Sequence, residues 1–301
     1  MTILSRNLAI LEFNRSTMSL DPIAKTAESD SHIGDVEALL WHDGNVISGG
    51  DEGKVKVWTP DLKLIAEFQA HDYPIYHMAS EGKNFYTCSN DSTIREWTPN
   101  GSGWVLARVL QGHKQPVRRL RMSCGCLYSG DEAGEVWVWQ NGQPEGTLNV
   151  GEEIWDMFVD KNKIYTVRDR DVVISEFGSN GQVSTYNTLE GRGPLRVSGD
   201  KLCFIDRSGM ELLVHDNIAK GNPLLGKLQG HSMIINAIIG NPDRFFTAGW
   251  DCKVVAWNLE KLSKITEQPV DGYVNTMAMS SVGNLYVGGA NGGISALKIN
   301  F

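Results

Sequence analysis

The feature of this sequence that most constrains its fold is a motif that recurs at intervals of about 40 residues. Each copy begins with a His, has a Ser or Thr 16 residues later, an acidic residue at position 18 to 20 and a Trp at position 26. The four complete copies are His32, Ser48, Asp51, Trp58; His71, Thr87, Asp91, Trp97; His113, Ser129, Glu132 (or Asp131), Trp139; and His231, Thr247, Asp251, Trp257. This regularity indicates tandem copies of one supersecondary unit.

Each copy reads as four short strands. Apolar and polar residues alternate before each motif Trp, as in the runs Lys54–Trp58 and Glu135–Trp139. A cluster of Gly, Asn and Asp precedes these runs and predicts a turn. One further apolar run lies upstream of the His, and two lie between the His and the turn, which gives four strands per unit.

Three further units fit the same frame less well. The fourth has Val150 in place of the His, Asp169 as its turn acid and Phe177 in place of the Trp. A fifth unit extends over residues 191–214, and a seventh over residues 270–297. The sequence therefore predicts seven repeats.

The spacing, together with the dipeptides Gly112–His113 and Gly230–His231, resembles the WD-repeat (beta-transducin-like) family over residues 30 to 301. The resemblance implies an all-β fold, a seven-bladed β-propeller of four-stranded antiparallel blades. It also implies that the motif residues form a structural hydrogen-bond chain, in which the imidazole links the turn acid to the Ser or Thr hydroxyl and that hydroxyl bonds the indole N–H. The sequence departs from the family pattern by having Trp–Thr, Trp–Gln or Trp–Asn where Trp–Asp is typical.

A metal or catalytic site is the alternative interpretation of four histidines and four acids. In a radial array each His belongs to its own blade, so the four sets cannot converge on one ion. The sequence also has no Gly-x-Ser-x-Gly, His-Glu-x-x-His or Cys-x-x-Cys motif. We therefore expect a protein that is not an enzyme, with no catalytic residue, cofactor or metal.

The resemblance places partner-binding positions at one end of the propeller, beside the first residue of each inner strand and before the turn acid. These positions include aromatic residues and arginines, the types that dominate interface energetics. They are Asp35, Glu37, Tyr76, Asn90, Arg118, Asp131, Trp155, Arg168, Arg196, Asn236, Trp250, Tyr273 and Asn275.

Arginine is concentrated in the middle of the chain. Nine of the thirteen arginines lie between Arg108 and Arg207. Because Arg pairs bidentately with carboxylate and phosphate, the top edge of repeats three to five is predicted to accept an acidic or phosphorylated peptide, with Arg118, Arg168 and Arg196 as its contacts.

Charge and hydropathy exclude other partners. There are 28 Lys and Arg against 36 Asp and Glu, a net charge of −8, which disfavours general nucleic-acid binding. No apolar stretch approaches the ~18 residues that a membrane span requires. The five cysteines are an odd, scattered set, which favours a reducing compartment and hence a cytoplasmic or nuclear location.

The ring is expected to close through the N-terminus. The chain ends after the third strand of the seventh unit, so residues 1–30 would supply its fourth strand and residues 31–301 the propeller. Either Leu8 to Phe13 or Ile23 to Ala27 could form that strand; the second fits the repeat length better. Deletion of residues 1–28 is predicted to destabilise the ring.

The function that this sequence favours is a non-catalytic scaffold or adaptor, a monomeric propeller within a larger complex that docks partner proteins or peptides on its top face. The alternatives are a substrate-recognition subunit of a ubiquitin ligase or signalling complex, and a small-ligand or catalytic propeller that uses its central channel. Fold alone does not decide among them.

Overall fold

The computed structural model describes residues 18–101, 103–168, 170–177 and 182–300. Its strands form seven four-stranded antiparallel sheets, here blades 1 to 7. The first strand of each blade contacts the first strand of the next, and the inner strand of blade 7 contacts that of blade 1, which closes the ring. The prediction of a seven-bladed β-propeller is confirmed.

The blades follow the chain order, except that the first strand of the chain belongs to blade 7. Blade 1 contains β2 (Val36–His42), β3 (Asn45–Gly50), β4 (Lys54–Trp58) and β5 (Leu64–Gln69); blade 2 contains β6 (Ile75–Glu81), β7 (Asn84–Ser89), β8 (Ile94–Asn100) and β9 (Gly103–Leu110); blade 3 contains β10 (Val117–Ser123), β11 (Cys126–Asp131), β12 (Glu135–Gln140) and β13 (Gln143–Asn149); blade 4 contains β14 (Asp156–Asp160), β15 (Lys163–Val167), β16 (Asp171–Phe177) and β17 (Val183–Glu190). Blade 5 contains β18 (Arg192–Ser198), β19 (Lys201–Ile205), β20 (Glu211–Asp216) and β21 (Leu224–Gln229); blade 6 contains β22 (Ile235–Asn241), β23 (Arg244–Gly249), β24 (Lys253–Asn258) and β25 (Ser263–Pro269); blade 7 contains β26 (Val274–Met279), β27 (Asn284–Gly289), β28 (Ile294–Asn300) and β1 (Ser19–Lys25).

Two short 3-10 turns, Glu28–Asp30 and Ala290–Gly292, are the helical elements of the described residues. No helix in the described ranges has the length and apolarity of a membrane span.

Burial changes from the middle of a blade to its outer edge. In blade 1, β3 and β4 are buried along almost their whole length, because neighbouring blades cover both faces of the sheet. The outer strand β5 alternates between partly buried and exposed residues. The period-2 pattern therefore marks the outer strands most clearly, and continuous apolar runs mark the middle strands.

The apolar core is divided into seven clusters, each between two neighbouring blades. Between blades 1 and 2, for example, Ile47 and Val55 pack with Ile75 and Phe85, all fully buried. Burial of one such side chain contributes about 1.5–3 kcal/mol. Every blade thus depends on both neighbours for its core.

Strand β1 supplies the outer strand of blade 7. It pairs antiparallel with β28, from Ser19 opposite Asn300 to Lys25 opposite Ser295. Leu20 is buried in the cluster between blades 6 and 7, whereas Ile23 is half exposed.

The N-terminal closure is therefore as predicted, but the strand begins four residues before the preferred segment Ile23 to Ala27, and Ala27 lies outside it. A register shift between Pro22 and Ala24 leaves Ile23 without a paired residue on β28, whereas Leu20 pairs with Ile299 and is buried. The alternative segment, Leu8 to Phe13, lies outside the described residues.

Each of four blades contains its own directional hydrogen-bond chain. In blade 6, Trp257 Nε1 donates to Thr247 Oγ1 (2.8 Å), which is 2.7 Å from His231 Nε2, and His231 Nδ1 is 2.9 Å from Asp251. A carboxylate only accepts, so Nδ1 carries the proton and Nε2 accepts from the threonine hydroxyl. The corresponding distances in the other three blades, including His71 to Asp91, lie between 2.6 and 3.0 Å.

The pKa shifts of His231 and Asp91 agree with a proton on Nδ1 that is donated to the carboxylate. Burial lowers the pKa of His231 below its ordinary value and outweighs the opposing effect of Asp251, which keeps the imidazole neutral. Burial alone would raise the pKa of Asp91, but hydrogen bonds from His71 and Thr93 hold it below its ordinary value. In blade 6 the chain therefore joins one carboxylate to one neutral imidazole.

Of the acids assigned to the chains from sequence, Asp51 was wrong, and in blade 3 the partner is the alternative, Asp131, rather than Glu132. In blade 1, His32 contacts Glu52 (2.6 Å) instead of Asp51. Glu52 lies 20 residues after its His, as Asp91 and Asp251 do.

In blade 3, His113 contacts Asp131 (2.7 Å) instead of Glu132, because Ala133 occupies the 20-residue position there. Asp131 also accepts the backbone N–H groups of Ala133 and Glu135 and so fixes the turn. Glu132 pairs with Arg118 instead.

Blades without the motif use other polar contacts. In blade 4, the Tyr165 hydroxyl donates to Asn217 of blade 5 (2.9 Å). In blade 5, the Asp206 carboxylate accepts backbone N–H groups from residues 208 to 211. Asp169, the predicted turn acid of the fourth unit, lies outside the described residues.

Removal of the closing strand by deletion of residues 1–28 is expected to lower the melting temperature, because it uncovers β28 and part of the core. A matched pair of point variants locates the effect. Leu20→Ala should cost about 2–5 kcal/mol of unfolding free energy, and Ile23→Ala about 0.5 kcal/mol, since only Leu20 is buried. Denaturant titration measures both, and equal losses would contradict the register of β1.

Loss of one hydroxyl should break a whole chain. Thr247→Val keeps the volume but leaves the indole N–H of Trp257 and Nε2 of His231 without their partner, so the variant should lose about 1–3 kcal/mol. Thr166→Val is the control, because Val150 and Phe177 replace the His and Trp in its blade. A loss in the control as large as that of Thr247→Val, in the same denaturant titration, would refute the argument.

Candidate partner-binding face

Two kinds of loop meet at one end of the ring, which we call the top face. One joins the outer strand of a blade to the inner strand of the next, and the other joins the second and third strands of a blade. Because successive strands of a blade run antiparallel, both kinds of loop lie at the same end of the blade. The inner strands then lead side chains from this face into the central channel.

A polar network links blades 6, 7 and 1 at the channel mouth. Asn236 donates to Asn275 (3.4 Å), and Asn275 donates to Glu37 (3.1 Å). The Tyr273 hydroxyl donates to Asp35 (2.6 Å). These contacts fix the predicted partner-binding residues of blades 6, 7 and 1 relative to one another.

Three acids of blade 1 lie within this network. Ligand oxygens of Asp35, Glu37 and Asp51 are within 4.8 Å of one another, close enough in principle to hold a cation. Burial, together with Asp51 and Asp35, raises the pKa of Glu37 to about 7, and burial raises the pKa of Asp51 as well. The Asp35 and Glu37 oxygens already accept from Tyr273 and Asn275, so the cluster is part of the hydrogen-bonded rim.

A cavity of 410 Å³ opens beside these acids towards blades 2 to 4. Tyr76 forms one wall, donates to Asn90 (3.2 Å) and lies under the Arg118 guanidinium (4.1 Å to the ring centre). The cavity is lined by Glu37, Asp51, Pro74, Tyr76, Arg118, Arg119, Glu153 and Trp155.

The rim arginines are paired within the chain. Arg118 contacts Glu132 (2.6 Å), and Arg168 contacts Glu152 (3.0 Å). The predicted basic edge is therefore balanced by acids from neighbouring loops.

Two of the predicted top-face positions are not there. Arg196 lies inside the channel, over the ring of Phe158 at 5.5 Å and beside Asp156, because β18 carries it inward beyond Pro194. Asp131 is fully buried as the partner of His113.

Aromatic side chains are exposed around the mouth. Trp155, Trp250 and Tyr273 are 48%, 45% and 39% exposed, and the rings of Trp250 and Tyr273 lie 6.5 Å apart. Sequence reasoning missed other exposed apolar residues of the same loops. Ile33, Tyr73 and Met233 follow a motif His by one or two residues, and that spacing was the available signal.

Comparison with known proteins agrees with this architecture. The family model described as WD domain, G-beta repeat matches residues 62–98 and 222–258, each from the outer strand of one blade to the third strand of the next. The crystal structure of the WD40 β-propeller domain of Doa1 has a TM-score of 0.79 to this chain at 18% identity, covering 93% of this chain and 97% of that one.

Curated relatives are distant and much longer. "Putative E3 ubiquitin-protein ligase LIN-1" of Lotus japonicus is 23% identical over 286 residues, which cover 90% of this chain and 19% of that protein. "Zinc finger CCCH domain-containing protein 17" of Oryza sativa subsp. japonica is 25% identical over 166 residues, which cover 54% of this chain and 38% of that protein. The chain thus spans about a fifth of the ligase and two fifths of the zinc-finger protein.

The ring of four-stranded blades and its polar top face define a β-propeller of the kind that generally serves as a non-catalytic interaction module. Two segments of the chain match the WD-repeat family model, and its fold is that of a WD40 β-propeller.

The raised pKa of Glu37 should make the unfolding free energy depend on pH. Its folded pKa of about 7 exceeds the ordinary value of 4.5, so the folded state binds this proton more tightly and loses stability as pH rises from about 5 to 8. Glu37→Gln should remove this loss, at most about 3 kcal/mol. Denaturant titration at both pH values checks it, with the exposed Glu260→Gln as control; an unchanged slope in Glu37→Gln would count against the assignment.

Proposed function

We propose that this chain is a non-catalytic platform that binds a partner protein or peptide across the mouth of its channel. The observation that carries the proposal is the set of exposed aromatic side chains, Trp155, Trp250 and Tyr273, on a rim fixed by hydrogen bonds. Large aromatics held rigidly at a concave surface are the usual anchors of protein interfaces.

The neighbouring charges define what such a partner would meet. On the blade 1 side, Asp35 and Asp51 offer carboxylates to a basic group, and the adjoining 410 Å³ cavity has room for a side chain. On the blade 3 and 4 side, Arg118 and Arg168 would accept an acidic or phosphorylated segment by exchange with Glu132 and Glu152. Exposed ion pairs contribute only about 0–1 kcal/mol, so this exchange costs little.

Substrate recognition within a ubiquitin ligase is a second candidate. It is favoured by the similarity of 90% of this chain to parts of proteins described as putative E3 ubiquitin-protein ligases. Under this proposal the top face would hold the substrate, and other proteins or domains would supply the ligase chemistry. Both candidates agree with a cytoplasmic or nuclear location.

Partner capture from native extract, followed by mass spectrometry, tests the face. The double variant Trp250→Ala, Tyr273→Ala should lose its specific partners, because truncation of an interface anchor costs about 2 kcal/mol, or some 30-fold in affinity. Ile218→Ala is the control, since Ile218 is 77% exposed but lies at the opposite end of the blades.

The results of this capture experiment distinguish between the proposed functions. Loss of partners from Ile218→Ala but not from the double variant would overturn the choice of face. Loss from Arg118→Glu, Arg168→Glu would identify an acidic or phosphorylated partner segment. Retention of ubiquitin-ligase subunits by the double variant, with loss of the remaining proteins, would identify substrate recognition.

A further inference from the structure

Three arginines lie on inner strands around the central channel. Arg119 and Arg121 are on β10 of blade 3, and Arg196 is on β18 of blade 5. Arg119 and Arg121 both contact Asp156 of blade 4: Arg119 Nε is 3.1 Å and Arg121 Nη2 3.0 Å from the same oxygen, Oδ1. Arg196 is close enough for its charge to act on Asp156, Arg121 and His77.

Asp156 cannot balance this charge. Its Oδ1 also accepts the backbone N–H of Met157 (2.8 Å), and its Oδ2 accepts that of Leu195 (2.9 Å). One carboxylate that already accepts four hydrogen bonds therefore lies near three guanidinium groups, so arginines outnumber this acid by two. The second acid that lines this part of the channel, Glu37, is directed to Asn275 and has a raised pKa of about 7.

Several buried donors here lack an acceptor among the described residues. They are Nε of Arg121, Nε of Arg196 and Nδ1 of His77. Arg121 Nη1 lies 2.8 Å from His77 Nε2, and a guanidinium only donates, so Nε2 is the acceptor and Nδ1 carries the proton. Buried cations and donors without partners are costly, and a bound anion would relieve that cost.

The cavity beside Arg119 and Arg121 is small. A cavity of 80 Å³ is lined by His77, Arg119, Arg121, Asp156, Asn236 and Asn275, among others. That is room for about two or three waters in liquid terms, or for one small oxyanion, and too little for a nucleotide. Guanidinium groups match the oxygens of phosphate in paired, charge-assisted hydrogen bonds.

We infer that the channel of this propeller binds one phosphate group at Arg119 and Arg121, near enough to Arg196 for its positive charge to contribute. Two positive charges in excess match a phosphate dianion, and the amide of Asn236 at the cavity wall has a second N–H to donate. The group is either free inorganic phosphate or the phosphoryl group of a segment that enters from the channel mouth. The inference does not depend on the aromatic rim of the top face.

Calorimetric titration of the whole chain with inorganic phosphate, in a low-salt buffer free of polyvalent anions, tests the site. Wild type should bind saturably, and Arg196→Met about 10-fold or more weakly, as expected for loss of a charged hydrogen bond. Arg207→Met is the control, because Arg207 pairs with Asp171 and Glu190 on the outside of the ring and should leave binding unchanged.

A melting experiment keeps the test independent of folding defects. In phosphate-free buffer, Arg196→Met should melt at or above the wild-type temperature, because it removes an uncompensated buried charge; phosphate should then raise the melting temperature of wild type and not of the variant. Arg119→Gln is a second variant, at an arginine that is more exposed than Arg121. Phosphate is expected not to raise its melting temperature either. A short phosphoserine peptide in place of phosphate distinguishes the two sources: tighter binding than that of the ion identifies a partner-borne group, and equal or weaker binding identifies the free ion.

Absence of saturable binding to wild type by either probe would overturn the inference. So would an equal phosphate response in wild type, Arg196→Met and Arg119→Gln.

Discussion

Apolar packing between neighbouring blades is the constraint on which the rest of this structure depends. Each of the seven clusters takes side chains from two blades, so no blade has a complete core until the ring is closed. The pairing of β1 with β28 is what closes it, because the outer strand of blade 7 comes from the other end of the described chain. Local packing, ring closure and the geometry of the channel mouth are therefore one cooperative property.

The hydrogen-bond chains act within this framework rather than in place of it. Four blades have a Trp–Ser/Thr–His–acid chain, while blades 4, 5 and 7 are just as regular in their strand pairing without one. In blade 5 a single carboxylate, Asp206, satisfies the backbone of the turn that the motif acid fixes elsewhere. The chains thus satisfy buried polar groups at the junction of turn and strand, and the apolar clusters carry the blades that lack them.

Sequence spacing predicts the periodic part of the molecule well, because repeated local chemistry produces repeated local structure. It fixes four strands per unit, the Ser or Thr and Trp partners, and the N-terminal origin of the closing strand. It is less able to choose between adjacent acids: Glu52 and Asp51 differ by one position, and the side chain that reaches the imidazole depends on the shape of the turn. The register shift between Pro22 and Ala24, which leaves Ile23 unpaired, likewise has no periodic signal.

The distribution of arginine shows why a site cannot be derived from composition along the chain. Nine arginines in the middle of the sequence suggested one basic edge, but alternate residues of an inner strand differ in what they meet. Arg118 is at the rim, where Glu132 and Glu153 balance it. Arg119 and Arg121 lie in the channel and share the carboxylate of Asp156, and Arg196, from a blade two positions away, is near enough to feel the same charge. The same residue type is therefore neutralised at the surface and in excess within the channel. Packing of blades 3, 4 and 5 side by side brings strands β10 and β18 to the two sides of β14, which carries Asp156, so the charge imbalance is a property of the tertiary structure.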